Sequence, residues 1–536
     1  MHTLAIHNAE LTLILLLALV VAFGMLAQRL KTPYPIILVI AGVVLGLLPA
    51  MPRISLNPNL VFLGFLPPLV FAAAFVTSWR EFQYNLVSIG FLAFGLVGFT
   101  VVGVALAAHW LLPGFDWRSG LVLGAVISTT DPVAATTIAR NVGLPKRIID
   151  ILEGESLVND ASGLLALQFA VALIVSGEVP TLGAGVARLL YLVIGGIVIG
   201  LGIGLLVSWL EQRIDDAPIE ITISIVTPFI AYLGAEGLHS SGVMATVACG
   251  LYLGRRSVLS LSLGARLDGT AVWRTLTFIL NGILFMLLGL QLPWILASIK
   301  GVSLKELLGS AAFFIALVIA LRMIWVFPGT WLARYIRRHW LGQTEGLPSA
   351  RGIFVVGWTG MRGAVALAAA ISLPETLDNG DPFPQRSVIL FLTFCVIFVT
   401  LVLQGLTLPM VIRRLGLAGI PEDHEEEAQA RRAMSEAALQ HLQKISERDG
   451  EEFRSLYQDL EQHYQRRLAA LAGTGRADAG DIAEDDHSRY ASISRELRKT
   501  ELAAAIHLRD QNRINDELLR KLQRELDFAE ARAKVA

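Results

Sequence analysis

Residues 127–136 read ISTTDPVAAT, an aspartate and a proline in the middle of a long apolar run, and this stretch decides the fold. Pro132 has no N–H, so the carbonyl of Ser128 loses its helical partner, and the ring clashes with that turn. A helix carried through this run must break at Thr129–Asp131. Freed carbonyls at membrane depth are tolerated only where they line a cavity or bind something. Carbonyls beside a carboxylate suit a hard monovalent cation. The plain alternative is a simple proline kink, which is common in membrane helices.

The surroundings of this stretch are those of a membrane protein. Of the 536 residues, 54% are hydrophobic and 17% charged, with a mean hydropathy of +0.60. A soluble chain carries about a quarter charged residues, so a soluble enzyme is excluded. The charge is also unevenly placed. Residues 1–420 hold 25 basic and 20 acidic residues, and residues 421–536 hold 19 and 25. A transmembrane domain over 1–420 followed by a cytoplasmic helical tail over 421–536 is the expected organisation. Cys249 and Cys395 lie in apolar runs and offer neither a disulfide framework nor a metal spacing. The first apolar run follows Glu10 without a basic n-region or a small-residue cleavage site, and reads as a retained span.

Thirteen apolar runs approach the length a bilayer requires, the first near 9–28 and the last near 387–412. In one set of alternate loops lie sixteen basic residues, among them Arg29, Arg140, Arg147, Arg213, Arg337 and Arg413; the other set holds six, including Arg53, Arg118, Arg188 and Lys300. This asymmetry places the N-terminus outside and the C-terminus in the cytoplasm, and an odd number of spans agrees. Thirteen divides as six, one and six, with the second block starting from the opposite side, the arithmetic of an inverted repeat. The expected fold is an all-α polytopic membrane protein of about 13 transmembrane helices, with inverted six-helix repeats and broken helices crossing near the midplane.

Charges inside such spans cost at least about 2.5–3.5 kcal/mol each and are functional by default. They are Asp131, Glu155, Asp160, Arg322 and Arg362. At 1.5 Å per residue Asp131 and Asp160 sit roughly 16–18 Å deep, and Arg322 and Arg362 reach about the same depth. The bland alternative is a set of buried ion pairs that only fixes helix packing. In EGESLVNDASG (Glu153–Gly163), Ser156 and Asp160 share one helix face, with Glu155 and Asn159 in the row beside it. Ser156 and Asn159 also fit plain interhelical hydrogen bonding. In GWTGMRGAVAL (Gly357–Leu367), three glycines flank Arg362. A buried Arg needs an acidic partner, and Glu155 is the expected one, leaving Asp160 free to titrate. Arg322 is expected to meet an acid of the same core or to steady the broken helix. Glu236 and Ser241–Gly242 are placed to line an outer pathway or the surface.

Three motifs stand together in order: TDP at Thr130–Pro132, EGESLVND ending at Asn159–Asp160, and GMRGAVAL at Gly360–Leu367. With FLPPLVF (Phe65–Phe71), AEGLHSSGVMATVACGLYLG (Ala235–Gly254) and NGILFMLLGLQL (Asn281–Leu292), the chain resembles the sodium/proton exchangers of the monovalent cation:proton antiporter family, in the branch with an Asn-Asp pair. The resemblance covers most of 10–415. It implies a homodimer and elevator-like alternating access, a core domain moving against a dimerisation domain. It implies Asp160 as the shared cation and proton site, Ser156 and the Thr130 main-chain oxygen as further ligands of the cation, Asp131 and Asn159 as holders of the broken helix, and a Glu155–Arg362 pair. Where many relatives carry an acid, this chain has Ala72, so its cation preference is open among Na+, Li+ and K+.

A mechanism follows from competition. Burial penalises a bare charge, so Asp160 must hold a proton or a cation whenever the core crosses the membrane, and one titrating carboxyl implies one cation per proton. A role in pH regulation at the cell (inner) membrane fits this activity. No cofactor and no nucleic-acid partner is expected, only lipid and a second copy of the chain. A cation channel, a potassium-selective exchanger and an intramembrane aspartyl protease are the rivals; the protease lacks its GxGD context. In the tail, Gly473–Asp481 reads as a loop between two helices, and Leu518, Leu519, Leu522 and Leu526 read as heptad-like positions.

Overall fold

The structure, a computed structural model, describes residues 2–49, 58–175, 182–299, 303–340, 342, 349–377 and 381–419. Arg53, Lys300 and the whole expected tail, with its loop and leucine heptads, lie outside the described residues. Among the described residues the architecture is helical, apart from one isolated bridge between Thr376 and Pro382.

The chain runs through α1 (His2–Arg29), α2 (Tyr34–Gly46), α3 (Leu66–Val76), α4 (Trp79–Gly90), α5 (Val97–Leu111), α6 (Trp117–Ser128), α7 (Pro132–Val142), α8 (Lys146–Val175) and α9 (Leu182–Glu211). It continues through α10 (Ala217–Gly237), α11 (Gly242–Ser260), α12 (Leu263–Leu290), α13 (Leu292–Ser298), α14 (Leu304–Trp340), α15 (Ala350–Trp358), α16 (Ala364–Ile371), α17 (Arg386–Val399) and α18 (Gly405–Arg414). Nine segments among the described residues are long and apolar enough to cross a bilayer, and α2 and Leu60–Val76 are shorter apolar helices. Each of the thirteen apolar runs of the sequence falls on a helical segment.

Among the described residues three segments contain π turns, at Leu60–Phe65 before α3, Phe91–Leu96 between α4 and α5, and Thr400–Gln404 between α17 and α18. A π turn inserts a residue into the ladder, re-aims the side chains beyond it and is frequent at functional sites. These three were not legible in the apolar pattern, because one inserted residue barely alters a run that is apolar on every side.

Helix pairs in lipid approach through small residues, since lipid supplies no hydrophobic drive between them. The pairing of α2 with α12 is the clearest case. A Cβ on Gly42 would collide with the Met286 carbonyl oxygen, and one on Gly289 with the Val39 carbonyl oxygen. The two backbones are in contact, and α2 and α12 form one stiff wall. The main core is built from the apolar faces around this wall and from α5, α6, α16 and α17, with Leu123, Ile127, Leu367, Leu390 and Ile397 fully buried. By contrast, α9 exposes Leu190, Ile194, Val198 and Leu206, an outer surface suited to lipid rather than water.

Candidate ion-binding site

Two interrupted helices meet at the centre. The first interruption is the one read from Pro132: α6 ends at Ser128, Thr129–Asp131 are extended, and α7 restarts at Pro132. Asp131 caps α7, its Oδ1 accepting from the Val133 N–H at 2.8 Å. The second lies among the glycines around Arg362: α15 ends at Trp358, and α16 begins after Gly363. The two gaps are joined directly, since the Asp131 N–H donates to the Met361 carbonyl at 2.9 Å.

Arg362 fills the vacancy that Pro132 creates. Its Nη1 donates to the Ser128 carbonyl, the very group left without a helical N–H, and to the Thr129 carbonyl at 3.0 Å. These carbonyls form the negative end of the α6 dipole, so a guanidinium there is favoured electrostatically as well. The expected Glu155–Arg362 pair is therefore corrected. Glu155 is instead bound bidentately by Arg322, Nη1 to Oε1 at 2.5 Å and Nη2 to Oε2 at 2.8 Å. Arg322 reaches on to the Val356 carbonyl at 3.1 and 3.2 Å from Nη2 and Nε, serving an end carbonyl of α15. Each arginine thus serves one broken helix, and only Arg322 also takes the acid. Both side chains and Glu155 are buried.

The α8 residues close the network. Asn159 Nδ2 donates to Thr130 Oγ1 at 3.0 Å, and that hydroxyl donates to Glu155 Oε1 at 3.4 Å. Thr130 is thereby held at the first gap by its side chain. Gly163 lets α8 come close here, because a Cβ on it would collide with the Thr129 side chain. Together these elements border a cavity of about 80 Å3, lined on this side by Thr129, Thr130, Asp131, Ser156, Asp160 and Gly363. That space admits a monovalent ion with several waters, one water needing about 10–15 Å3 of it. The two aspartates differ in commitment. Asp131 is engaged as a cap, whereas Asp160 makes no hydrogen bond or ion pair among the described residues and opens onto the cavity.

Residues 14–414 match the family Na_H_Exchanger, described as sodium/hydrogen exchanger, transmembrane. The chain belongs to this family. It is a polytopic monovalent cation/proton antiporter and not an enzyme. The exchanger is 35% identical to an uncharacterized Na(+)/H(+) exchanger of Mycobacterium tuberculosis, over 97% of this chain and 95% of the relative. It is 32% identical to the sodium, potassium, lithium and rubidium/H(+) antiporter of Bacillus subtilis, over 74% of this chain and 61% of that protein. Its fold is similar to that of the sodium proton antiporter MjNhaP1 of Methanocaldococcus jannaschii, with a TM-score of 0.59 and 19% identity over 76% of this chain and 99% of the other.

Some contacts of the exchanger's site escaped the sequence. The Thr400 hydroxyl, at the start of a π turn, accepts from the Arg362 N–H at 3.2 Å and so holds the second gap. Asn281 reaches the cavity from α12; it was visible inside a motif but without a chemical neighbour to give it meaning. Glu236 accepts from the Gly242 N–H at 3.2 Å and lines a second, larger cavity of about 330 Å3 with Arg188, His239 and Ser241. Gly363 has a specific reason to be small, since a Cβ there would collide with the Asp131 side chain. Gly363→Ala is expected to push Asp131 off its cap and to lower the exchange rate by about tenfold or more, in line with a lost cap of about 1 kcal/mol plus displacement of the site. Flux measured on folded, reconstituted variant checks this, and an unchanged rate would count against the tight junction of the two gaps.

Proposed function

We propose that the protein exchanges Na+, or Li+ or K+, for H+ by alternating access, with one cation or one proton carried on Asp160 in each crossing. The observation that supports this most is the uncommitted Asp160 carboxyl opening onto a cavity that the gaps of both broken helices border. Ser156 and the Thr130 main-chain oxygen are the further ligands, Asp131 and Asn159 shape the first gap, and Glu155–Arg322 together with Arg362 neutralise the surrounding helix ends. The adjacent Asn159 and Asp160 support assignment to the Asn-Asp branch.

The finer architecture belongs to the same proposal. All thirteen segments cross, with the N-terminus outside and the C-terminus in the cytoplasm of a cell-membrane homodimer. The two interruptions support an inverted repeat, since each occupies the fifth segment of a six-segment block. The core built around the gaps moves against the α2–α12 wall in an elevator-like step, and the activity serves pH regulation. The broad name of the Bacillus subtilis relative, together with Ala72, favours acceptance of several monovalent cations over strict sodium selectivity.

Proteoliposomes loaded with a pH indicator test the reading. Proton flux is expected on imposing a Na+, Li+ or K+ gradient, with no accompanying current. Because H+ and cation compete for one carboxyl, the apparent KM for the cation is expected to rise as pH falls. Net current under exchange conditions overturns the one-to-one stoichiometry, and cation flux without proton flux favours a channel.

A further inference from the structure

The cavity is lined by two unlike sets of residues. The broken helices and α8 contribute its carboxylates and hydroxyls, along with Val133, Leu157, Ala364 and Val365. A second set, from the π turn before α3, α3 itself and α12, contributes Val61, Leu66, Leu69, Val70, Leu284 and Ala73, with one polar side chain among them, Asn281. Asn281 is 7% exposed. A buried amide set in an apolar wall costs free energy unless it finds a polar partner, and here the open direction is the cavity.

Its mounting is rigid. The Tyr34 hydroxyl lies beside Asn281, and the Tyr34 ring packs on Phe278, one turn away on α12, with centroids 5.3 Å apart. Tyr34 stands on α2, whose backbone touches that of α12 at Gly42 and Gly289. The amide is therefore fixed to the α2–α12 wall and not to the broken helices.

We propose that Asn281 is a specificity-determining residue: with its amide nitrogen turned to Tyr34, its amide oxygen completes the coordination of the transported cation, directly or through one water, from α12 rather than from the elements that carry the other ligands. This rests on the reading of the Asp160 cavity as the transport site. The ligands proposed there, Asp160, Ser156 and the Thr130 carbonyl, all come from the broken helices and α8. A hard cation takes about six or more oxygen ligands, so three leave its shell incomplete and it needs further oxygens. The second set offers one. Cations of different size lose different amounts of hydration energy, so the position of that one oxygen sets which of them binds best. Because the amide belongs to the wall, the ligand is also present in one arrangement of core and wall and absent after they have moved apart.

The test is the KM for Na+, Li+ and K+ at fixed pH, in proteoliposomes of wild type, Asn281→Leu, Asn281→Asp, Tyr34→Phe and Asp160→Asn. Asn281→Leu is expected to raise the KM of the preferred cation about fivefold, as for loss of one hydrogen-bonding ligand, and to alter the Na+ to K+ KM ratio by about threefold or more. Tyr34→Phe is expected to move the ratio in the same direction by a smaller factor. Asn281→Asp keeps the shape and adds charge, so it is expected to lower KM and to change the ratio even where the Leu variant does not fold. Three KM values that stay within about twofold of wild type, or that all change by one common factor, overturn the proposal, since a packing role moves cations together. Asp160→Asn separates the two levels. If it loses exchange while the Asn281 variants keep wild-type ratios, only this inference fails; if it retains exchange, the site reading itself fails.

Discussion

Asp160→Asn is expected to abolish cation-dependent proton flux while leaving the unfolding temperature unchanged or slightly higher. The substitution is isosteric. It removes neither a hydrogen bond nor an ion pair, since the Asp160 carboxyl makes none among the described residues, and it replaces one buried carboxyl with a neutral amide. An uncharged amide there carries neither a proton nor a cation across. Asp131→Asn is the informative contrast. Its side-chain oxygen still accepts from the Val133 N–H, so the first gap keeps its cap, and partial exchange is expected to survive. Flux and thermal unfolding of both variants, purified side by side, check the pair. Full exchange in the Asp160 variant, or equal loss in both, would remove the distinction between a carrying and a capping aspartate.

Arg322→Met is expected to destabilise the protein by about 3–5 kcal/mol, because it leaves the Glu155 carboxylate buried without its partner. The Val356 carbonyl loses both of its donors from Arg322 at the same time. Adding Glu155→Leu is expected to restore stability to the wild-type level or above, since a buried ion pair and an apolar pair of similar volume are often equivalent in free energy. Exchange is not expected to return with stability. Glu155 Oε1 also accepts from Thr130 at 3.4 Å, and without that contact the gap residue is free to turn. Denaturant or thermal unfolding of the single and double variants checks the first statement, and flux through the double variant checks the second. A double variant as unstable as the single would show that the pair acts through packing rather than charge.

What could be read from the sequence follows what is covalent. Pro132 has no N–H in any fold, and its interruption of the helix at Thr129–Asp131 was legible for that reason. So was the sharing of one face by Ser156 and Asp160, which helical spacing dictates. The partner of Glu155 was not. Arg322 and Arg362 lie at similar depth in different segments, and depth arithmetic does not say which of two arginines lies on which side of α8. The packing of α14 on α15, where Arg322 meets the Val356 carbonyl, decides it. The link between Asp131 and Met361 was invisible for another reason: it joins main-chain atoms, which leave no mark in the choice of side chain. Asn281 was readable as a polar residue in an apolar run, but its meaning depends on what else lines the cavity.

The Asp131–Met361 link also has a mechanical reading. Two interrupted helices standing apart would give four short rods, each free to tilt about its own gap. Pinned to each other at the gaps, α6–α7 and α15–α16 share one fulcrum. Under the proposed alternating access, a tilt of either would pass to the other, and the site between them would be carried along without being pulled open. Labels placed on α7 and α16 would keep a constant separation through the transport cycle, while either label would change its distance to α12.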